Sequence, residues 1–235
     1  MRLLEKFFTK PATARVAPFL VFLALTFCQG KFGATSACWF YLAKTFVGVW
    51  LAWEMRPFVS EMRWAFSWEA VAVGAVIFAI WVGLDPFYPK FNALIAKLGW
   101  SKFFGTTDQM AWNPQVQFGV NSAAAWFFMI VHILGMTFVV PPLEEVFYRS
   151  FLYRYIARQK FLSVRLDQFL PLPFFATVAV FGFSHNEWLA GILCGAAFQW
   201  LVLRKNRLGD AMTAHAITNF LLGAWIVWKG AWNFW

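Results

Sequence analysis

The chain contains the run Glu144-Glu145-Val146-Phe147-Tyr148-Arg149, directly after a strongly apolar stretch from Ala123 to Val140. Ionisable groups in such a place are costly in a bilayer and usually face a bundle interior or a wet cavity. Asp and Glu together number only 11 in 235 residues, so two side by side here call for a reason. Spacing supplies one. Glu145 and Arg149 stand four apart on one helical face, close enough to pair. Glu144 is turned by about 100° from Glu145 and has no local cation. One carboxylate reads as structural and the other as available for chemistry. A plain helical ion-pair cluster at a membrane edge is the alternative reading of this run.

The chain has 3 histidines, and two of them stand in matching apolar contexts. Phe181-Gly182-Phe183-Ser184-His185 closes one apolar run, and His215-Ala216-Ile217-Thr218-Asn219 lies inside another. In each, the first and last residues share a helical face. Hydrolysis needs a water held by a base, donors for the developing oxyanion, and walls that exclude bulk water. Glu144, His185, His215 and Asn219 are residues of those types. The third histidine, His132, reads as a satisfied core residue, since intramembrane polar groups commonly bond a neighbour. Zinc needs three protein ligands and favours spacings such as His-Glu-x-x-His, which this sequence lacks, so no metal and no cofactor is expected.

The elements that must carry these residues are membrane helices. The chain is 61% hydrophobic, 21% aromatic and only 13% charged, which excludes an ordinary soluble domain. Apolar runs at 12–30, 35–54, 66–84, 123–140, 169–185, 187–203 and 209–228 approach the ~20 residues that a helical span requires. The net charge of +9 would suggest nucleic acid in a soluble protein. Here the cations sit in short loops, so topology is the simpler cause and no nucleic-acid partner is expected. With the N-terminus inside, fourteen Lys and Arg fall on inner segments and five on outer ones. That asymmetry predicts a cytoplasmic N-terminus. The basic start, the apolar stretch Val16 to Cys28 and small residues near Ala34 to Ala37 resemble a signal peptide. The length of the basic region and the six further runs favour an uncleaved first span. Cys28, Cys38 and Cys194 match no metal spacing and read as packing residues.

The long connection 85–122 opens on Asp85-Pro86-Phe87-Tyr88-Pro89, a turn signal. Phe91, Leu94, Ile95 and Leu98 then recur at helical spacing, which predicts an amphipathic interfacial helix. Pro141-Pro142 should kink the fourth run and restart it as the helix carrying Glu144. Lys44 and Glu69 are candidates for an ion pair between the second and third spans. Asp210 and Glu187, at span ends, read as solvated. Counting from the cytoplasmic boundary at ~1.5 Å per residue puts Glu144 at ~20 Å, His185 at ~25 Å, His215 at ~10 Å and Asn219 at ~17 Å, near enough to meet.

At these residues the chain resembles the CAAX proteases and bacteriocin-processing enzymes, the CPBP intramembrane proteases. Their motifs are Glu-Glu-x-x-x-Arg, Phe-x-x-x-His and His-x-x-x-Asn or Asp, in that order on separate helices. Here they read Glu144-Glu145-x-x-x-Arg149, Phe181-x-x-x-His185 and His215-x-x-x-Asn219. The likeness covers roughly 127–228, and the outline also resembles the branch associated with exosortase sorting systems in bacteria. The chain departs from common members in Tyr148 and Ser150, where phenylalanine and glycine are usual. The resemblance implies a glutamate-based, metal-independent intramembrane endopeptidase. In it Glu144 and His185 would polarise the attacking water, His215 and Asn219 would stabilise the oxyanion, Glu145 and Arg149 would brace the helix, and Phe181 would shape the pocket. The partners implied are a membrane-associated peptide or protein substrate and the lipid bilayer, in a bacterial inner membrane. Prenylated C-terminal cysteine motifs belong to the eukaryotic branch and are not carried over.

The expected fold is therefore all-α: one integral membrane domain over 1–235, with seven or eight transmembrane helices and an active-site cavity inside the bundle. Residues 1–122 would form N-terminal spans and an interfacial segment, and 123–235 the motif-bearing core. The rival readings are a non-catalytic immunity or scaffold protein of the same fold, and a proton-coupled transporter. The latter more often shows paired repeats with broken helices, and no repeat is found here.

Overall fold

The computed structural model describes residues 5–33, 35–101 and 112–235. Ala34, part of the connection 85–122, and Arg2 and Lys102 among the counted cations lie outside them. The described residues are all helical in class, with no strand among them. The long helices are α1 (Pro11–Cys28), α2 (Ser36–Met55), α3 (Trp68–Leu84), α4 (Ala123–Ala157), α5 (Pro171–Phe183), α6 (Trp188–Lys205) and α7 (Gly209–Lys229). The stretches Pro11–Cys28, Trp68–Lys97, Ala123–Ala157 and Gly209–Lys229 are long and apolar enough to cross a membrane. This is an integral membrane protein.

Local chemistry sets the helix ends. Proline opens α1 and α5, where a missing N–H costs nothing. Ser67 and Ser122 cap α3 and α4 by accepting the N–H of Ala70 and Ala125. Asn206 and Gly230 end α6 and α7 in the left-handed region. Large side chains such as Phe46, Val49 and Trp53 on α2 stay exposed, at spacings that place them on one outer stripe. In lipid such a stripe costs nothing, because the surrounding tails are equally apolar.

Without a hydrophobic drive between helices, close packing must hold them together, and small residues permit it. Helix α7 is the central post and packs most extensively on α3. A Cβ on Gly74 of α3 would come within 2.6 Å of the Ala214 carbonyl oxygen. The vacant space lets Thr218 of α7 donate to the Gly74 carbonyl at 3.0 Å. Helices α5 and α6 form a second tight pair at Gly182, where a Cβ would meet the Ile192 side chain at 2.3 Å.

The proline pair does not interrupt α4. The helix widens into a π turn over Gly135–Val139, regains α geometry over Val140–Glu145, and widens again over Val146–Leu152. The expected stop and restart is thus replaced by a continuous helix with two local expansions, which absorb the missing N–H groups.

Two charge expectations are corrected. Lys44 does not pair with Glu69: its ammonium reaches Thr26 Oγ1 at 3.5 Å and lies over the Phe22 and Tyr41 rings. Glu69 pairs with Arg204 and Lys205 of α6. Asp210 is not solvated: it is 0% exposed and held by Ser67 and Arg207. Both changes follow from α3 lying against α6 and α7, neighbours that chain order does not reveal.

Candidate functional site

Helix α4 brings Glu144 and Glu145 into the bundle with opposite fates. Glu145 is 0% exposed and its Oε1 takes two partners, Arg149 Nη1 at 3.2 Å and His215 Nδ1 at 2.9 Å. Arg149, also buried, donates to the Gly195 carbonyl of α6 at 3.3 Å and lies over the Phe181 ring at 4.4 Å. A buried carboxylate is tolerable only when paired in this manner. Glu144 is half-buried, and its Oε2 has no hydrogen-bond partner among the described residues.

His215 of α7 sits between Glu145 and the Phe198 ring, whose centre is 5.2 Å from its own. A carboxylate can only accept, so Nδ1 carries the proton and Nε2 points away from Glu145. In the doubly protonated ring Nε2–H also donates. The sequence reading paired His215 with Asn219 as oxyanion donors, whereas the direct contact of His215 is to Glu145.

Asn219, one turn further along α7, gives an amide N–H to the Met136 carbonyl at 2.7 Å. That carbonyl is available for a specific reason. The Val140 N–H turns back to Gly135, and the next residue, Pro141, has no N–H. The prolines therefore create the acceptor that holds Asn219. One amide N–H is engaged there and the second is left for a ligand.

His185 follows the end of α5. Its Nδ1 lies 2.7 Å from the Phe181 carbonyl and 3.2 Å from Ser184 Oγ. Facing a carbonyl, Nδ1 must be the donor, which leaves Nε2 as a lone pair able to accept a proton. The Phe181 ring is 4.8 Å from that of His185, and Trp81 of α3 meets it edge-on at 5.5 Å. Glu144, His215 and Arg149 are the ionisable groups whose fields act on His185.

The loop bearing His185 is clamped from outside. The Asn186 carbonyl accepts the Phe91 N–H at 2.8 Å, its side-chain oxygen accepts the Asn92 N–H at 3.1 Å, and the Trp188 indole donates to the Pro89 carbonyl at 3.0 Å. The short helix Phe91–Lys97, expected as an interfacial anchor, thus caps its first turn on the neighbour of His185.

The site has two layers. Glu145, Arg149 and His215 are buried beneath, while Glu144, His185 and Asn219 remain partly open. His132 stands apart, stacked on Tyr41 at 4.1 Å and tilted against Trp235 at 3.9 Å, with its Nδ1 unpartnered among the described residues rather than satisfied. Among the described residues no three His, Cys, Asp or Glu side chains converge as a metal site.

Sequence reasoning missed Tyr148 and Ser184 at the site, and a charge cluster below it. Ser150 Oγ donates to Glu61 at 2.6 Å and receives Arg15 at 2.8 Å and Arg154 at 2.7 Å. Glu61 was one of few acids in the chain, which was the available signal, but its partners lie on two other elements. Burial alone would raise the Glu61 carboxyl; Arg15 and Ser150 outweigh it and hold the group down at about 2.

Comparison with curated proteins and with solved structures gives no match. Residues 125–221 match the family model described as type II CAAX prenyl endopeptidase, Rce1-like. That span contains all three motifs. The matched stretch, less than half of the chain, is thus similar to a family of CAAX proteases.

Proposed function

We propose that the protein is a glutamate-dependent, metal-independent intramembrane endopeptidase acting on a membrane-associated peptide. The observation that carries this reading is the asymmetry of the two glutamates: Glu145 Oε1 is held by Arg149 and His215, while Glu144 has no ion pair among the described residues, Oε2 of both being unpartnered. Glu144 takes a proton from a water that also donates to the His185 Nε2 lone pair. The resulting hydroxide attacks the scissile carbonyl carbon. The oxyanion that forms is met by the remaining Asn219 N–H and by His215 Nε2–H in its protonated ring. Collapse breaks the C–N bond, and the proton on Glu144 passes to the leaving amine, giving a carboxylic acid and an amine and restoring the site.

In this reading α1 to α7 all lie in the membrane, in a single domain, with the N-terminus on the cytoplasmic side of a bacterial inner membrane. The distribution of Lys and Arg along the chain, fourteen on inner segments and five on outer ones, supports that orientation.

The test is cleavage of quenched fluorescent peptides by nanodisc-embedded protein, using a farnesylated CAAX peptide beside unmodified apolar peptides. Glu144→Ala, His185→Ala and His215→Ala should each lower the rate by about 10²–10⁴. Chelators should leave it unchanged. Wild-type rates in all three variants sink the assignment. Turnover abolished by a chelator and restored by zinc replaces it with a metal mechanism, and a folded protein that cuts nothing but supports a co-expressed partner establishes the scaffold reading.

A further inference from the structure

The connection between α2 and α3 has two charged faces, and only one of them is balanced. Pro57 sets a tight turn over Arg56–Phe58, and the Met62 N–H donates back to the Val59 carbonyl at 3.0 Å. Val59 and Met62 turn inward and are buried. Glu61 faces α1 and α4, where Arg15 holds both of its oxygens and Arg154 one. The opposite face has no such balance. Arg56 and Arg63 are exposed, and their side chains have no ion pair or hydrogen bond among the described residues. Both line one cavity of about 810 Å³, with Ser60 and Trp64 beside them, and none of its described lining residues is acidic. That volume lies within the range of about 300–1,000 Å³ usual for small-molecule sites.

The wall that carries Arg63 is fixed. A Cβ on Gly209 would collide with the Arg63 carbonyl oxygen and the Ala65 nitrogen, and Thr213 donates to the Ala65 carbonyl at 2.7 Å. The backbone is thus seated on the start of α7 while the guanidinium stays free. Exposed aromatics mark the level of the cavity: Trp53 near the end of α2, then Trp64, Phe66 and Trp68 at the start of α3. Such rings at span ends sit at the membrane–water interface. Cations that only set topology need no common cavity. Two unmatched guanidinium groups on one cavity are planar donors suited to phosphate oxygens. Basic pockets between membrane helices hold anionic headgroups in this way. We infer that the cavity between Arg56 and Arg63 binds the phosphate group of an anionic phospholipid. Soluble phosphates share that chemistry, but the flanking aromatics match a ligand anchored in the bilayer. The cytoplasmic leaflet follows from the orientation proposed above; the site itself depends neither on that orientation nor on the hydrolytic reading.

The experiment is native mass spectrometry of the full chain released from neutral micelles, titrated with phosphatidylglycerol or with phosphatidylcholine of the same acyl chains. The wild type should retain one phosphatidylglycerol more tightly than phosphatidylcholine. A cation near the membrane surface is worth about fivefold in such binding. Arg56→Gln and Arg63→Gln should therefore each weaken retention about fivefold, and the double variant roughly thirtyfold. The control is the double variant Arg158→Gln with Lys160→Gln, two exposed cations of the α4–α5 connection, which removes the same charge outside the cavity and should bind as the wild type does. Equal affinity for the two lipids overturns the inference, as does an equal loss in the control, the mark of non-specific surface attraction. Inorganic phosphate and glycerophosphoglycerol at the lipid's concentration should leave the bound lipid in place, and displacement by either overturns a lipid source. Arg56 and Arg63 have no partner in the fold, so the variants should melt with the wild type when no anionic lipid is present. The single variants carry the test if the double one does not fold, and wild-type retention in both singles overturns the inference.

Discussion

Glu144 and Glu145 are adjacent and chemically identical, and the structure treats them oppositely. Removing one partner of a buried pair leaves the other charge uncompensated, at a cost of about 3–5 kcal/mol. Glu145→Gln and Arg149→Ala should therefore lower the thermal midpoint in detergent, with Arg149→Ala also loosening α4 from Gly195 of α6. Glu144→Gln loses no ion pair and should melt with the wild type while losing hydrolysis. Equal destabilisation by the two Gln substitutions would refute the division of roles. Ser150 and Tyr148, the two departures from the common motif, both have partners: one joins Arg15, Glu61 and Arg154, the other Ser184.

At the scale of the element, α4 gains its function from a defect. The π turn over Gly135–Val139 and the prolines after it leave the Met136 carbonyl without a helical donor, and Asn219 fills the vacancy. Pro141→Ala returns an N–H that can compete for that carbonyl. The expected outcome is a rise or no change in melting temperature together with a lower cleavage rate, as Asn219 loses its anchor. A rate equal to wild type would show that the anchor is dispensable. The clamp at Asn186 makes a second case. Asn186→Ala removes the side-chain acceptor for Asn92 and should speed hydrogen exchange in 91–97 and lower kcat, with little effect on exchange in α7. Unaltered exchange in 91–97 would dismiss the clamp.

Across the whole molecule, the network of Arg15, Glu61, Ser150 and Arg154 ties α1 and the connection between α2 and α3 to α4. The Glu61 carboxyl lies below its unfolded value of 4.5, at about 2. Between those values the unfolded chain binds more protons than the folded one, so stability rises with pH there. The Glu61 contribution is complete above pH 4.5 and is lost as pH falls toward 2. Melting temperatures measured from pH 7 down to pH 3 should fall less steeply in Glu61→Gln than in wild type, from a lower starting point. Parallel curves would remove Glu61 from the acid response.

Composition and apolar runs were enough to establish a helical membrane protein, because the cost of unpaired backbone in lipid leaves few other choices. The motif spacings placed Glu145 with Arg149 and Phe181 with His185, since partners four apart on one helix are local facts. Local spacing could not say that His215 would bond Glu145 from another helix, or that Asn219 would be held by a carbonyl freed by distant prolines. The same limit misplaced Lys44, which lies against Thr26 and Phe22 of α1, and Glu69 and Asp210, whose neighbours depend on α3 packing against α6 and α7. The sequence by itself determined the class of the fold, the family motifs and the residue types that the chemistry requires. Only the tertiary structure decided that His215 is held by Glu145 and Asn219 by the Met136 carbonyl, because those groups are brought together across 70 and 83 positions of chain.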